Sequence, residues 1–302
     1  MFTAMQPELL IAIIAGLGGM LGWGFADFFA KKTIDELGDV MTLAWAGIFG
    51  TVAFFIACAY VVYVYHEPVV IPSSVSVWAL LIFFGVLQAA VYIYAYKGFG
   101  KGQVGLLAPV FAAFSGIVAI VSILFLAEPA TSGRLLALAV VFIGILLLNA
   151  DLSALGSLRI RWTSVAGFRE VFVATILAAI WTLLWERFLI PEAWLFYAFY
   201  MFVFMTLAVF MFAFFRRLSF TVSRAGLWKF VAIIGICETV AYIAISLGYG
   251  VTPYVSVVAI LSGAFALPTI VLARMFLNER PSRTQTVASL VIVCGTVLLA
   301  ML

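Results

Sequence analysis

The chain has 302 residues, of which 67% are hydrophobic and only 10% are charged. A soluble domain carries roughly 25% charged residues, so this composition cannot cover a water-facing surface. It excludes a cytosolic enzyme, a nucleic-acid-binding protein and a disordered chain, and it predicts a protein embedded in lipid. The three cysteines lie apart in apolar runs, so we expect neither a disulfide framework nor a metal site.

Ten apolar runs follow one another along the chain. A run of about 20 residues at 1.5 Å per residue crosses the roughly 30 Å hydrocarbon core of a bilayer as an α-helix. The runs lack the alternation of membrane strands, so we predict an all-α integral membrane protein with ten transmembrane helices. In chain order the runs lie near residues 8–30, 40–65, 75–97, 103–127, 132–150, 167–188, 194–215, 226–249, 252–277 and 284–302.

The two halves of the chain repeat one another. Tyr92 matches Tyr242 at an offset of 150 residues, and Gly98-Phe99-Gly100 matches Gly248-Tyr249-Gly250 at the same offset. Each half contains five predicted spans, and this odd number forces the second half to enter the membrane upside down. Inverted repeats with a substrate site between them are typical of secondary transporters. The predicted domains are a first five-helix repeat (1–150), a cytoplasmic linker (151–166) and a second, inverted repeat (167–302).

Several short motifs resemble those of a known transporter family. They are Trp23-Gly24 late in the first helix, Gly98-Phe99-Gly100, and the Glu-Pro segments at 126–129 and 277–281. Layout and motifs together resemble the drug/metabolite transporter superfamily, in particular its EamA-like ten-helix branch, over essentially the whole chain. The resemblance implies two inverted five-helix repeats around a central cavity that moves small metabolites, and it does not indicate which metabolite.

The basic residues are distributed unevenly between the two sides of the predicted membrane domain. Of the 16 lysines and arginines, 14 fall on one side, and only Arg134 and Arg187 fall on the other. By the positive-inside rule the richer side is cytoplasmic. We therefore predict a multi-pass protein of the plasma or inner membrane with both termini outside, although members of the family that it resembles commonly start inside.

The clearest candidate for a functional group is Glu238, midway along the eighth predicted helix. An ionisable residue at the membrane centre costs roughly 2.5–3.5 kcal/mol on insertion, which favours a functional role. Residues four apart share a helix face, so polar positions related by the repeat form two stripes that should face each other at the centre. The stripes are Gln88, Tyr92 and Tyr96 on the third helix and Glu238, Tyr242 and Ser246 on the eighth.

Glu238 has two interpretations. It either binds a substrate amine or carries a proton that couples transport, or it stays protonated and holds helices together by a hydrogen bond. On the first helix, Trp23 is a candidate for the floor of the cavity. Asp27 either contributes to a gate or forms an ion pair with Lys31, four residues later. Late in the sixth helix, Trp185 is expected to mark the outer membrane interface, where tryptophan is enriched.

Helix breakers and glycines supply candidate points of flexibility. Pro109 in the fourth helix and Pro268 in the ninth are expected to kink their helices, and a moving hinge is the alternative. Gly98 and Gly248 belong to the two Gly-aromatic-Gly segments, which permit tight connections between helices and are weaker candidates for hinges.

An acid follows the fourth span and a second acid follows the ninth. Glu128 and Glu279 match between the two halves of the chain, and each comes before the next predicted helix. An acid at a helix N-terminus is stabilised by the helix dipole, typically by about 0.3–1 kcal/mol. We therefore expect Glu128 to cap the fifth helix and Glu279 to cap the tenth.

These observations predict a secondary transporter that moves small polar or amphipathic organic metabolites by alternating access. Amino acids and related amine-bearing compounds are the first candidates, because one carboxylate can bind an amine while aromatic side chains cover the rest. The sequence contains no nucleotide-binding fingerprint, so any energy for transport must come from a gradient or from a partner, and proton coupling stays open. We expect no cofactor and no nucleic-acid partner. The expected partners are the small-molecule substrate, the lipid bilayer and protons, and the chain works as a monomer or homodimer.

Two alternatives remain at this stage. A polytopic membrane enzyme that acts on lipid or isoprenoid substrates would need clustered carboxylates for a metal or a histidine-based site. The only histidine of this chain, His66, falls in a predicted loop. A passive facilitator would conduct its substrate down a gradient without dependence on pH or ions.

Overall fold

A computed structural model describes residues 6–101, 104–149, 165–222, 224–278 and 281–301. These residues form helices and their connections, with no strand among them. Ten helical stretches of the described chain are long and apolar enough to cross a membrane, as the sequence predicted. The helices are α1 (Pro7–Leu37), α2 (Asp39–Tyr65), α3 (Val75–Phe99), α4 (Val104–Phe125), α5 (Ser132–Asn149), α6 (Phe168–Phe188), α7 (Trp194–Phe215), α8 (Leu227–Val251), α9 (Val255–Gly263), α10 (Ala266–Phe276) and α11 (Arg283–Ala300).

Helix-capping residues lie in the short connections between the spans. Gly38 joins α1 to α2 with a φ of 75°, a left-handed conformation that glycine adopts without steric cost. Ser74 precedes α3, and its side chain accepts a hydrogen bond from the backbone N–H of Ser76. Ser282 and Gln285 form a capping box at the start of α11. Each of these caps forms hydrogen bonds with backbone groups that would otherwise lie unpaired at a helix end.

The helices pack in a pattern that repeats between the two halves. α1 packs on α8 and α9, and its equivalent α6 packs on α3 and α4. The contact of α2 with α8 is matched by the contact of α7 with α3. Three further pairs, α2 with α7, α4 with α9 and α5 with α11, join equivalent helices directly. A two-fold axis in the membrane plane generates this pattern, so the chain folds as two inverted five-helix repeats around a common centre.

Glycines allow the closest of these helix contacts. A Cβ on Gly235 of α8 would lie 2.2 Å from the carbonyl oxygen of Ala46 and 2.6 Å from the backbone nitrogen of Gly50, both on α2. A Cβ on Gly24 of α1 would lie 2.4 Å from the carbonyl oxygen of Phe265. Membrane helices attract one another mainly by close packing, because lipid tails are as apolar as the helices themselves.

The ninth span consists of two helices, α9 and α10, which are separated at residues 264–265. Pro268, the third residue of α10, has no backbone N–H to donate into the preceding turn. The hydroxyl of Thr269 donates to the carbonyl of Phe265 at 3.2 Å and to that of Gly24 on α1 at 2.8 Å. By contrast, Pro109 lies inside α4, which continues from Val104 to Phe125.

Gly98 and Gly248 lie within the last turns of α3 and α8 rather than between helices. A Cβ on Gly98 would meet Val171 of α6 at 2.5 Å, and one on Gly248 would meet Ala15 of α1 at 2.7 Å. The two glycines therefore allow equivalent close contacts between the repeats. Their role as hinges stays a prediction.

We expect the Gly235→Ala variant to lower the thermal stability of the detergent-solubilised protein. The added Cβ would overlap the Ala46 carbonyl, and overpacking of this kind typically costs about 1–3 kcal/mol. Gly226→Ala is the matched control, because a Cβ at that exposed position has no neighbour within 4 Å. Equal melting temperatures for the two variants would contradict the packing of α2 on α8.

Candidate functional site

The two polar stripes on α3 and α8 meet at the centre of the protein. Gln88 Nε2 donates to the hydroxyl of Tyr242 at 2.8 Å, and the hydroxyl of Tyr92 donates to Glu238 Oε2 at 2.9 Å. At the repeat offset of 150, Gln88 corresponds to Glu238 and Tyr92 to Tyr242, so the two hydrogen bonds are equivalent. A third hydrogen bond, from the hydroxyl of Tyr242 to that of Tyr92 at 3.3 Å, joins two equivalent residues and therefore lies on the two-fold axis.

Glu238 is held by donors from two helices of the first repeat. Besides Tyr92 on α3, Trp23 on α1 donates its indole N–H to Glu238 Oε2 at 3.2 Å. The Trp23 ring packs edge-on against Tyr242, with a centroid distance of 5.8 Å. Only 6% of Glu238 is exposed. We call these five residues, Trp23, Gln88, Tyr92, Glu238 and Tyr242, the central cluster.

Within the described part of the chain, no lysine or arginine forms an ion pair with Glu238. A buried carboxyl group of this kind is usually paired or takes part in function. Both of its observed hydrogen-bond donors, Trp23 and Tyr92, are neutral groups. Among the described residues, the carboxyl group of Glu238 therefore has neutral hydrogen-bond partners and no charged one.

The two ends of the bundle differ in how closely they are packed. The basic end carries Lys97, Lys101, Arg216, Arg217, Arg224 and Lys229, and the opposite, terminus end is where α1 begins. On the basic side of Glu238, Asp27 and Tyr96 are half-buried, as are Trp23 and Tyr92. Tyr96 stacks on Tyr92 with a centroid distance of 6.2 Å. Asp27 and Tyr96 are thus less completely buried than Tyr242 and Ser246 on the other side of Glu238.

On the terminus side of the cluster the side chains are fully packed. Tyr242 and Ser246 are buried, and the indole of Trp185 donates to the Ser246 hydroxyl at 3.3 Å. Trp181 stacks on Trp185 with a centroid distance of 5.5 Å and donates to the carbonyl of Phe84 at 3.1 Å. The structure is therefore closed on the terminus side of Glu238.

Trp185 was not identified correctly from the sequence. Its expected place was the membrane interface, but its exposed fraction is 0% and it contacts the end of the α8 stripe. The four-residue spacing of Trp181 and Trp185 was the available signal, because it puts both indoles on one face of α6. Composition alone favoured the interface, since tryptophan is enriched there.

Glu128 does not cap the helix that follows it, contrary to expectation. The side chain of Thr131 accepts from the backbone N–H of Arg134 at 3.2 Å and so caps α5. Glu128 instead crosses to the second repeat, where its Oε2 accepts from the backbone N–H of Ser256 at 2.9 Å and its Oε1 accepts from the Ser256 hydroxyl. It therefore caps α9.

Some predicted features lie outside the described residues. These are Glu279, residues 151–164 of the linker and the side chain of Lys31, so the alternative ion pair of Asp27 with Lys31 stays a prediction. Among the described residues, no group of three or more histidine, cysteine, aspartate or glutamate side chains is arranged to hold a metal ion.

Ten membrane-spanning helices in two inverted repeats, with a polar cluster between them, define a multi-pass membrane transporter. The model of the EamA-like transporter family matches residues 10–150 and 167–301, once in each repeat, and the chain belongs to this family. Its members are membrane transporters of the drug/metabolite type. One solved structure, described only as "Crystal structure of protein", covers 95% of both chains at 14% identity with a TM-score of 0.75, which shows the fold alone. Comparison with curated proteins finds no match.

The equivalent hydrogen bonds of the central cluster can be compared by double-mutant cycles in thermal unfolding. We expect a coupling free energy of about 1 kcal/mol between Tyr92→Phe and Glu238→Gln, because these substitutions alter the hydrogen bond that a carboxyl group accepts from Tyr92. The matched cycle of Gln88→Leu with Tyr242→Phe removes a neutral bond, for which we expect about 0.5 kcal/mol. Zero coupling in both cycles would contradict the contacts described above.

Proposed function

We propose that the protein is a secondary transporter that binds small amine-bearing organic metabolites at Glu238 and moves them by alternating access. The observation that carries this proposal is a buried carboxyl group at the centre of the repeats whose observed hydrogen-bond donors are all neutral. An ammonium group forms a charge-assisted hydrogen bond with a carboxylate, and such bonds are about twice as strong as neutral ones.

The aromatic members of the central cluster support a cationic, partly apolar substrate. Trp23 and Tyr92 flank Glu238, and Tyr96 extends the aromatic surface toward the basic end. The faces of such rings attract cations and cover apolar groups. A phosphorylated substrate fits poorly, because within the described chain no lysine or arginine pairs with a residue of the cluster.

The relation between the two repeats supports an alternating-access mechanism. Inverted repeats exchange their conformations when one rocks against the other, which opens the central site to each side of the membrane in turn. The equivalent bonds Gln88–Tyr242 and Tyr92–Glu238 would lie on opposite sides of this movement. Only one of the four residues is acidic, so a proton and a substrate amine would compete for Glu238. This competition would couple transport to a proton gradient.

Substitution of Glu238 by glutamine tests the proposal. Purified protein in liposomes is offered pooled metabolites with and without a pH gradient, and uptake is measured. We expect Glu238→Gln to reduce uptake of amine-bearing compounds by at least about tenfold and to abolish the effect of the gradient, since a lost hydrogen bond to a charge costs about 1.5–3 kcal/mol.

Glu67→Gln serves as the matched control, because Glu67 is an exposed acid in the connection between α2 and α3. Unchanged uptake and unchanged pH dependence in Glu238→Gln would leave Glu238 with a structural role alone. Uptake that follows the substrate gradient alone, with no effect of pH or ions, would favour a passive facilitator. Absence of uptake for every pool, together with chemical modification of lipids in the same vesicles, would favour the enzyme.

The distribution of basic residues supports an orientation with both termini outside the cell. Thr3→Cys should then react with a membrane-impermeant thiol reagent in intact cells, in a chain freed of its native cysteines. Ser219→Cys is the counterpart, because Ser219 is exposed in the connection between α7 and α8 at the basic end. The reverse labelling pattern would show that the termini lie inside the cell, and it would leave the description of the fold unchanged.

A further inference from the structure

We propose that Glu128 and Ser256 form the terminus-end gate of the transporter, and that Glu128 is a second proton-binding site whose protonation holds this gate closed. The gate rests on the proposed alternating-access function, but its chemistry is independent of Glu238. Three properties of the contact support the proposal: it joins the two repeats, it is buried, and it is tied to several helices at the terminus end.

The contact between Glu128 and Ser256 bridges the repeats at a point that must separate for the terminus end to open. Glu128 follows α4 of the first repeat, and Ser256 is the second residue of α9 in the second repeat. Both carboxyl oxygens are engaged, and only 7% of Glu128 is exposed. The first-turn N–H groups of a helix have no partner within the helix, so a carboxyl group from outside satisfies one of them.

The surrounding contacts position Glu128 toward α9. Ala127 adopts a left-handed conformation with a φ of 54°, and the backbone N–H of Glu128 donates to the carbonyl of Ser122 at 3.2 Å. On the other side of the loop, Arg134 Nη1 donates to the carbonyl of Pro129 at 2.5 Å. The conformation of the loop is therefore fixed at both of its ends.

Arg134 and Tyr254 extend the gate to α5 and α1. The Arg134 guanidinium lies 4.5 Å from the centre of the Tyr254 ring, and Tyr254 immediately precedes α9. The Tyr254 hydroxyl donates to the side chain of Gln6 at 2.5 Å, just before α1 begins. Separation of Glu128 from Ser256 would thus disturb α1, α5 and α9 together, which is the behaviour expected of a gate.

The charged and titratable groups around Glu128 set the direction of its pH response. Burial raises the pKa of Glu128 to about 7, while the Ser256 hydrogen bonds and the nearby Arg134 oppose this rise. Glu186, near the end of α6, adds to it. Tyr249 of α8 is a further titratable group that interacts with Glu128.

The closed gate therefore binds a proton more tightly than the open gate. In the open state water would reach the carboxyl group, and its pKa would return toward the ordinary value of 4.5. By linkage, acidification favours the closed state, and this preference is lost as the pH rises through about 7. Between about pH 6 and pH 8, the ratio of closed to open protein should fall about tenfold.

Cysteine accessibility tests the gate without reference to transport. A reporter, Ser246→Cys, is introduced into a chain freed of native cysteines, because Ser246 is buried between the central cluster and the terminus end. The purified protein in lipid nanodiscs is labelled with a polar maleimide at pH 6 and pH 8. Each rate is divided by that of the same chain unfolded in detergent at the same pH, which corrects for the pH dependence of thiol reactivity.

We expect the normalised rate to rise about tenfold from pH 6 to pH 8 with Glu128 present. Glu128→Gln resembles the protonated side chain and should give slow labelling at both pH values. Glu128→Ala loses the contact and should label fast at both. Glu67→Gln, an exposed acid on the same side, should keep the full pH response.

A tenfold pH response that persists in Glu128→Gln would overturn the proposal, as would equally fast labelling of the glutamine and alanine variants. If Glu128→Ala does not fold, the comparison of Glu128→Gln with Glu67→Gln still tests whether Glu128 causes the pH response of labelling. Uptake into liposomes is measured separately. In chains that lack the Ser246→Cys reporter, an intact Glu128 without uptake of any amine-bearing compound would reject the proposed substrate class, whereas the labelling response alone decides on the gate.

Discussion

The inversion of the second repeat determines which side chains can meet at the centre of the protein. It makes α3 and α8 antiparallel, so the equivalent residues Tyr92 and Tyr242 meet on the axis, while on either side of the axis each stripe contacts a residue that is not its own equivalent. Gln88 meets Tyr242, and Tyr92 meets Glu238. One contact is thereby built twice from different side chains. Because Gln88 and Glu238 occupy equivalent places, an amide in one half of the cluster corresponds to an acid in the other, and the acid also accepts from Trp23.

Close backbone packing connects this cluster to the parts of the bundle that would move. The glycine at position 24 of α1 lies one residue beyond Trp23 and against the break in the ninth span. Thr269 joins the backbones on both sides of that contact. A change in the angle between α9 and α10 would therefore shift Trp23, which holds Glu238. The break in the ninth span and the carboxyl group of Glu238 are thus connected through neighbouring residues of α1, although they lie on different helices.

The sequence predicted the ten spans and both polar stripes because each depends on local periodicity and on the offset of 150 residues. It did not predict the crossed pairing of the stripes, since an offset identifies equivalent residues but contains no distance between them. Glu128 shows the same limit. Its place ahead of α5 favoured a local cap, whereas its partner Ser256 is 128 residues away. Trp185 was placed at the interface because composition cannot distinguish a lipid-facing indole from a buried one.

The hydrogen bond on the two-fold axis determines the donor-to-acceptor direction of the hydrogen bonds in the cluster. Two equivalent hydroxyl groups cannot both donate to each other, so only one of Tyr92 and Tyr242 is the donor of their hydrogen bond. The side chains on either side agree with one direction: the Gln88 amide donates to Tyr242, Tyr242 donates to Tyr92, and Tyr92 donates to Glu238. Every donor in this row points the same way. The fold is nearly symmetric, but this row of three hydrogen bonds has a direction, and it ends at Glu238, the one acid of the cluster.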